Sequence, residues 1–176
     1  MMQAGHNDSL RAQLAGTNIN AETFLATDYL NHFNEVVMLI EMIPDMPECL
    51  EDARDWQPKS YTEHFENSGF SDRGLAVQAY QVAPPRYRRP LEEISRRLND
   101  KIAGLLADIE APVAENNMDD CAMLVEQASQ EIKIMIQLAS AVINGTSDVT
   151  TAAEVEALLA EIGNDNASQG EIDKLF

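Results

Sequence analysis

The stretch MDDCAMLVEQASQEIKIMIQLASAVIN, Met118 to Asn144, decides the fold class. Its apolar residues Cys121, Leu124, Val125, Ala128, Ile132, Met135, Ala139, Val142 and Ile143 recur at intervals of three and four, which places them on one face of a helix of about seven turns. Asn117 is a natural N-cap, and Asp119 and Asp120 stand where the helix dipole favours anions. Gly145 ends the pattern. A helix with so long an apolar face needs partners of its own kind, and the neighbouring sequence supplies them.

Upstream, a second long helix is predicted from about Pro90 to Ile109, ended by Pro112. A third is predicted from Ala21 to Ile43, capped by Asn20 and stopped by Pro44 and Pro47. In it Leu25, Tyr29, Phe33, Val36 and Ile40 share a core side, while Met38 and Met42 fall among polar residues opposite. Those two methionines read as packing against another helix, with an adaptable protein-binding surface as the alternative. Residues 44–85 carry turn signals, aromatics and no alternating strand pattern, so two or three short helices with irregular joins are expected. The expectation is an all-α antiparallel helical bundle over residues 20–145, preceded by a flexible arm (1–19) and followed by a linker and tail (146–176).

The charge narrows the functional classes. With 30 acidic and 12 basic residues the formal net charge is −18, which repels nucleic acid and anionic membrane surfaces. The one basic cluster, Arg86, Arg88, Arg89, Arg96, Arg97 and Lys101, is interleaved with Glu92, Glu93 and Asp100, and reads as a helix pairing its own charges. Cys49 and Cys121 are too few and too distant for a disulfide scaffold or a metal-binding pair, and read as core thiols of a cytoplasmic protein. No metal or cofactor is expected. His32 and Glu35 offer at most two ligands, and Glu-x-x-His on two helices, the di-iron pattern, is missing. Phosphate-binding glycine loops are also missing. What remains is a protein that works by binding another protein.

The tail carries a repeat. Thr151-Ala152-Ala153-Glu154-Val155-Glu156-Ala157-Leu158-Leu159 aligns with Ser168-Gln169-Gly170-Glu171-Ile172-Asp173-Lys174-Leu175-Phe176. Each copy opens with a capping box, so each starts a helix from its own side chains, although each is too short to be stable alone. In the second copy Ile172, Leu175 and Phe176 project from one side, the anchor pattern of a helix that folds into a partner's groove. The first copy docks either on its own bundle or on a partner.

The terminal segment resembles the response-regulator docking peptide at the C-terminus of the chemotaxis phosphatase CheZ family, and the N-terminal peptide of the flagellar switch protein FliM. Ser168, Gln169, Ile172, Asp173, Leu175 and Phe176 fit the shared pattern, and the C-terminal placement fits the phosphatase. The resemblance implies binding of a phosphorylated CheY-like response regulator, with Mg2+ belonging to the partner's receiver domain and no cofactor in this chain. It also implies stimulated dephosphorylation through an Asp-x-x-x-Gln on a long helix, whose carboxylate meets the regulator's lysine and whose amide orients the attacking water. Here that spacing occurs only from Asp165 to Gln169, across the tail linker. Two pairs at the same spacing stand as substitutes: Asn31 and Glu35, with acid and amide exchanged, and Glu126 and Gln130, with Glu for Asp. A solvated helix face explains either pair without any catalysis, and is the first reading of both. The rival readings are a non-enzymatic adaptor for a response regulator or flagellar motor component, and a structural protein whose tail drives homo-oligomerisation.

Overall fold

The computed structural model describes residues 2–164, with side chains from 8 to 162. Its helices are α1 Met2–Leu14, α2 Asn31–Met42, α3 Cys49–Asp55, α4 Tyr61–Glu66, α5 Arg73–Val82, α6 Pro85–Asp108, α7 Glu110–Ala114, α8 Met118–Ile143 and α9 Ala152–Asn164, with a 3-10 turn at Thr27–Leu30 before α2. Among the described residues the only β pairing is an isolated bridge between Ile19 and Ala26. The fold is all-α: long helices with short accessory ones, and no sheet.

The centre is an antiparallel pair. Ile94, Leu98, Ile102 and Leu105 of α6 and Cys121, Val125, Ile132, Met135 and Ala139 of α8 are all buried. The Lys101–Glu131 ion pair crosses the seam, and the groove shared by Asp108 and Leu124 marks its far end. The boundaries of α8 follow the sequence closely. Asn117 Oδ1 accepts from the Asp120 amide at 3.3 Å. At the other end Gly145 adopts φ +72°, with Thr146 N–H donating to Ala141 O at 2.9 Å and Gly145 N–H to Val142 O at 3.1 Å, a Schellman cap. A Cβ on Gly145 would also stand 3.3 Å from Thr23 Cγ2.

The helix predicted from Pro90 begins earlier, because Pro85 occupies the first helical turn, where a missing N–H costs nothing, and Pro90 is carried inside. Along α6 three of the six basic residues pair within the helix, Arg88 with Glu92, Arg96 with Glu93 and Asp100, and Arg97 with Glu93, while Arg86 reaches Glu22 and Lys101 reaches Glu131.

Two expectations are corrected and one open alternative is resolved. The chain from Ala21 does not enter a helix directly. Asn20 Oδ1 accepts from the amides of Glu22 (2.8 Å) and Thr23 (3.0 Å), and Phe24 takes φ +62°, so the backbone reverses before the 3-10 turn. The Thr23 hydroxyl donates to Ile143 O and pins that turn to the end of α8. Leu25, Tyr29, Phe33, Val36 and Ile40 are nonetheless all buried, as their spacing predicted. Second, residues 1–19 hold α1, whose Leu10 and Leu14 are buried, as is Ile19. Arg11 donates to Ala21 O at 3.2 Å and lies over the Phe24 ring. The polar composition of this stretch hid two well-placed leucines. Third, the first copy of the tail repeat belongs to the bundle: α9 packs on α6 and α8, Val155 is fully buried, and Glu156 pairs with Arg97 at 2.9 Å. Its capping box forms as predicted, with Glu154 N–H donating to Thr151 Oγ1 at 3.2 Å and Thr151 N–H to Glu154 Oε2 at 3.0 Å.

Replacing Ile132 with Ala is expected to cost about 2–5 kcal/mol, a fall of roughly 5–15 °C in Tm by calorimetry. By contrast, Val155→Asp is expected to release α9 alone: its amides lose hydrogen-exchange protection while those of α6 and α8 keep theirs. Unchanged protection in α9 would show that Val155 does not hold it.

Candidate functional site

α2 lies beside α8 and antiparallel to it. The register is set by Thr23 against Ile143 at one end, the Glu41–Lys133 ion pair in the middle, and Pro44 against Ala122 and Glu126 at the other. The outward sides of the two helices form one surface, and it carries both sequence-predicted pairs.

Asn31 and Glu35 are exposed on the first turns of α2, in a stripe that continues through Met38 and Met42 at helical spacing. Glu126 and Gln130 are exposed one turn apart on α8 and line a groove of about 380 Å³ with Glu41, Pro44, Ser129 and Lys133. About 20 Å of helix separates Asn31 from Glu126 along the face, so the pairs form two separate places. The groove gives Gln130 and Glu126 a concave setting beside the Lys133 ammonium, in which a carboxylate receives a partner's cation and an amide holds a water. Met38 is 64% exposed and Met42 38%, which corrects the expectation that they pack against another helix. Ser168, Gln169, Ile172, Asp173, Leu175 and Phe176 lie outside the described residues.

Behind α2 stands an aromatic cluster that sequence reasoning missed. His32, considered above as a metal ligand, is 4% exposed; its Nε2 accepts from the Lys59 amide at 3.0 Å, and its ring stacks on Trp56 at 4.7 Å. Trp56 Nε1 donates to His32 O at 2.9 Å, Tyr29 donates to Lys59 O at 3.0 Å, and the Tyr61 hydroxyl accepts from the Ala26 amide at 2.8 Å. These bonds tie the irregular 56–61 strap to the start of α2. Tyr61 and Tyr80 stack at 4.6 Å beside a cavity of about 280 Å³ that also touches Ser95 and Asn99. Burial pushes the Tyr29, Tyr61 and Tyr80 hydroxyls up, and each stays protonated at neutral pH. The concentration of Trp, Tyr and His between residues 56 and 80 was the available signal; its partners on α2 were not.

Both cysteines are buried and free, and burial raises the Cys121 thiol. Among the described residues no group of three His, Cys, Asp or Glu converges on a point, and no helix is long and apolar enough to cross a membrane. Neither family models, curated proteins nor solved structures match this chain.

Burial, with the charges of His64 and Lys59 nearby, pushes the His32 imidazole down to about 4. Because the folded value lies below the ordinary one near 6.5, the unfolded chain binds the extra proton first. His32 therefore stabilises the fold fully above about pH 6.5, and that contribution is lost as pH falls towards 4, at most about 3 kcal/mol. His32→Gln keeps an acceptor for the Lys59 amide but does not titrate. The stability gap between wild type and variant in denaturant melts is expected to narrow from pH 7.5 to pH 5, and parallel curves would exclude His32 as the titrating group.

Proposed function

We propose that this chain is a chemotaxis-type signalling protein that binds a phosphorylated CheY-like response regulator through its C-terminal peptide and stimulates its dephosphorylation. The observation that carries the reading is the terminal pattern Ser168-Gln169-x-x-Ile172-Asp173-x-Leu175-Phe176. It places two polar residues at a helix start and three apolar anchors at helical spacing behind it, the requirements of a peptide that folds into a groove. Residues 165–176 follow directly on α9, a helix whose packing on α6 and α8 gives the peptide a fixed base.

For the chemical step, Glu126 and Gln130 are the better supported pair: acid precedes amide, both face solvent, and they share a groove. In this proposal Gln130 holds the water in line with the aspartyl phosphate and Glu126 receives the regulator's lysine. The Mg2+ that neutralises the phosphoryl oxygens belongs to the receiver domain. Two buried free cysteines and the absence of a membrane-length helix among the described residues support a cytoplasmic setting.

The adaptor reading is favoured by one observation: Glu stands where the resembled family has Asp, and the extra methylene displaces the carboxylate relative to the amide. The two readings separate cleanly in one experiment. The full chain and a version ending at Asn164 are titrated into a CheY-type receiver with and without beryllofluoride, and the lifetime of the true phosphorylated form is followed. Tail-dependent binding that favours the activated receiver is expected, weakened about tenfold or more by Phe176→Ala. Gln130→Ala is expected to remove the acceleration of phosphate loss while leaving binding intact. Binding without acceleration would leave the adaptor, and binding unaffected by the tail would end both readings.

A further inference from the structure

We propose that the α2/α8 face is a second docking site, and that its occupant is a cationic amphipathic helix of a partner protein. The face includes the groove in which the proposed function places Glu126 and Gln130, but helix docking there is tested without the regulator and does not rest on the C-terminal peptide.

The large apolar side chains left exposed among the described residues are all methionines, two on α2, one in the turn after it and one near the start of α8. Met38 is 64% exposed, Met42 38%, Met46 37% and Met123 61%. Met38 and Met42 stand one turn apart on α2, and the Met46 amide donates to Met42 O at 2.8 Å, which carries the stripe around the end of the helix. On the other wall Met123 lies one turn before Glu126. Between the walls runs the groove of about 380 Å³, with Pro44 at its end. None of the four lines the groove itself, but Met42 and Met123 neighbour its lining residues Glu41 and Ala122 in sequence, and flexible, polarizable thioethers so placed mould themselves to an apolar helix face. From Met38 to Met46 the apolar edge extends about 12 Å, enough for anchors spaced i, i+4 and i+7 on an incoming helix.

Charge selects the occupant. Glu35, Asp45, Glu48, Asp119 and Glu126 are exposed around the methionines and face no cation within ion-pair reach among the described residues. The single positive charge at the groove, Lys133, is taken by Glu41. A second copy of the chain brings another net −18 to this acidic surface, and the chain's own residues 165–176 carry Asp165, Glu171 and Asp173 against Lys174. Nucleic acid and anionic lipid are repelled for the same reason. A helix with Lys or Arg on its flanks and Leu-like anchors on one side meets both the apolar strip and the carboxylates. The groove floor adds a polar group: the Ser129 hydroxyl, in a residue 3% exposed, has no hydrogen-bond partner among the described residues.

The eight methionines make the test direct. The full chain, labelled with 13C at the methionine methyls, is titrated with a helical Leu/Lys peptide of about 18 residues, and in parallel with a scrambled peptide of the same composition. Saturable shifts at Met38, Met42, Met46 and Met123 are expected, with the buried Met135 signal unmoved, and with affinity falling about tenfold from low to moderate salt. The triple variant Met38→Gln, Met42→Gln, Met123→Gln is expected to weaken binding at least about tenfold while its circular dichroism and Tm stay at wild-type values. Equal binding of the scrambled peptide, or unaltered affinity of the triple variant, would overturn the proposal. So would methyl shifts that follow the concentration of the chain alone, which would assign the face to a second copy. Shifts produced in the free chain by Ile172→Glu and Phe176→Glu would assign it to the chain's own terminus.

Discussion

The antiparallel seam of α6 and α8 is the constraint on which the rest depends. Neither helix is apolar enough to be stable alone, and each has one stripe that water penalises. Joined through α7 and the Asn117 cap, they bury those stripes against each other and leave two grooves, one on each side of α8. α9 settles against α6 and α8 through Val155, and α2 lies antiparallel along the other side of α8. The Schellman turn at Gly145 serves both: it closes α8, directs the chain back towards α9, and lets Thr23 approach the helix end closely enough to bond Ile143 O. Most of the cations of α6 are matched within this frame, by its own carboxylates, by those of α8 and α9 and by Glu22, which leaves the acidic excess to the outer surface.

A second kind of order governs the irregular stretches. In the stretches 20–26 and 56–60 the backbone is held largely by side chains: Asn20 and Tyr61 accept backbone amides, His32 accepts the Lys59 amide, and Trp56 donates to the carbonyl of His32. The bonds to the Glu22, Ala26 and Lys59 amides satisfy backbone groups that lie outside the helices, which is why so polar a set of contacts is tolerated beside the core. The result is a rigid footing for α2 that turns its Met38 and Met42 stripe outward. The exposed thioethers are thus a consequence of how the strap behind α2 is pinned.

The functional reading divides between a peptide and a face. A docking peptide requires only local residues in register, whereas a catalytic pair requires two side chains held at a fixed distance and angle to a partner's reacting atoms. Glu126 and Gln130 have the rigidity of a central helix and a concave setting; their difference from the resembled Asp-x-x-x-Gln lies in one methylene. The surrounding acids and methionines give the same face a chemistry suited to holding a cationic partner, so recognition and any chemical step would share one surface.

The all-α class, the span of α8, its caps, the capping box of Thr151 and Glu154, the pairing of charges along α6 and the buried side of Leu25 to Ile40 were all legible in the sequence. Each depends on residues within one or two turns of each other, where helical period and capping chemistry leave little freedom. The reversal at Phe24, the burial of Leu10 and Leu14, the docking of α9, the aromatic strap and the exposure of Met38 and Met42 were not. All of these depend on partners distant along the chain: Thr23 with Ile143, His32 with Lys59, Arg97 with Glu156, Glu41 with Lys133. An apolar residue's spacing shows that it seeks a face, but which face covers it, and which is left open for another protein, is decided only when the helices pack.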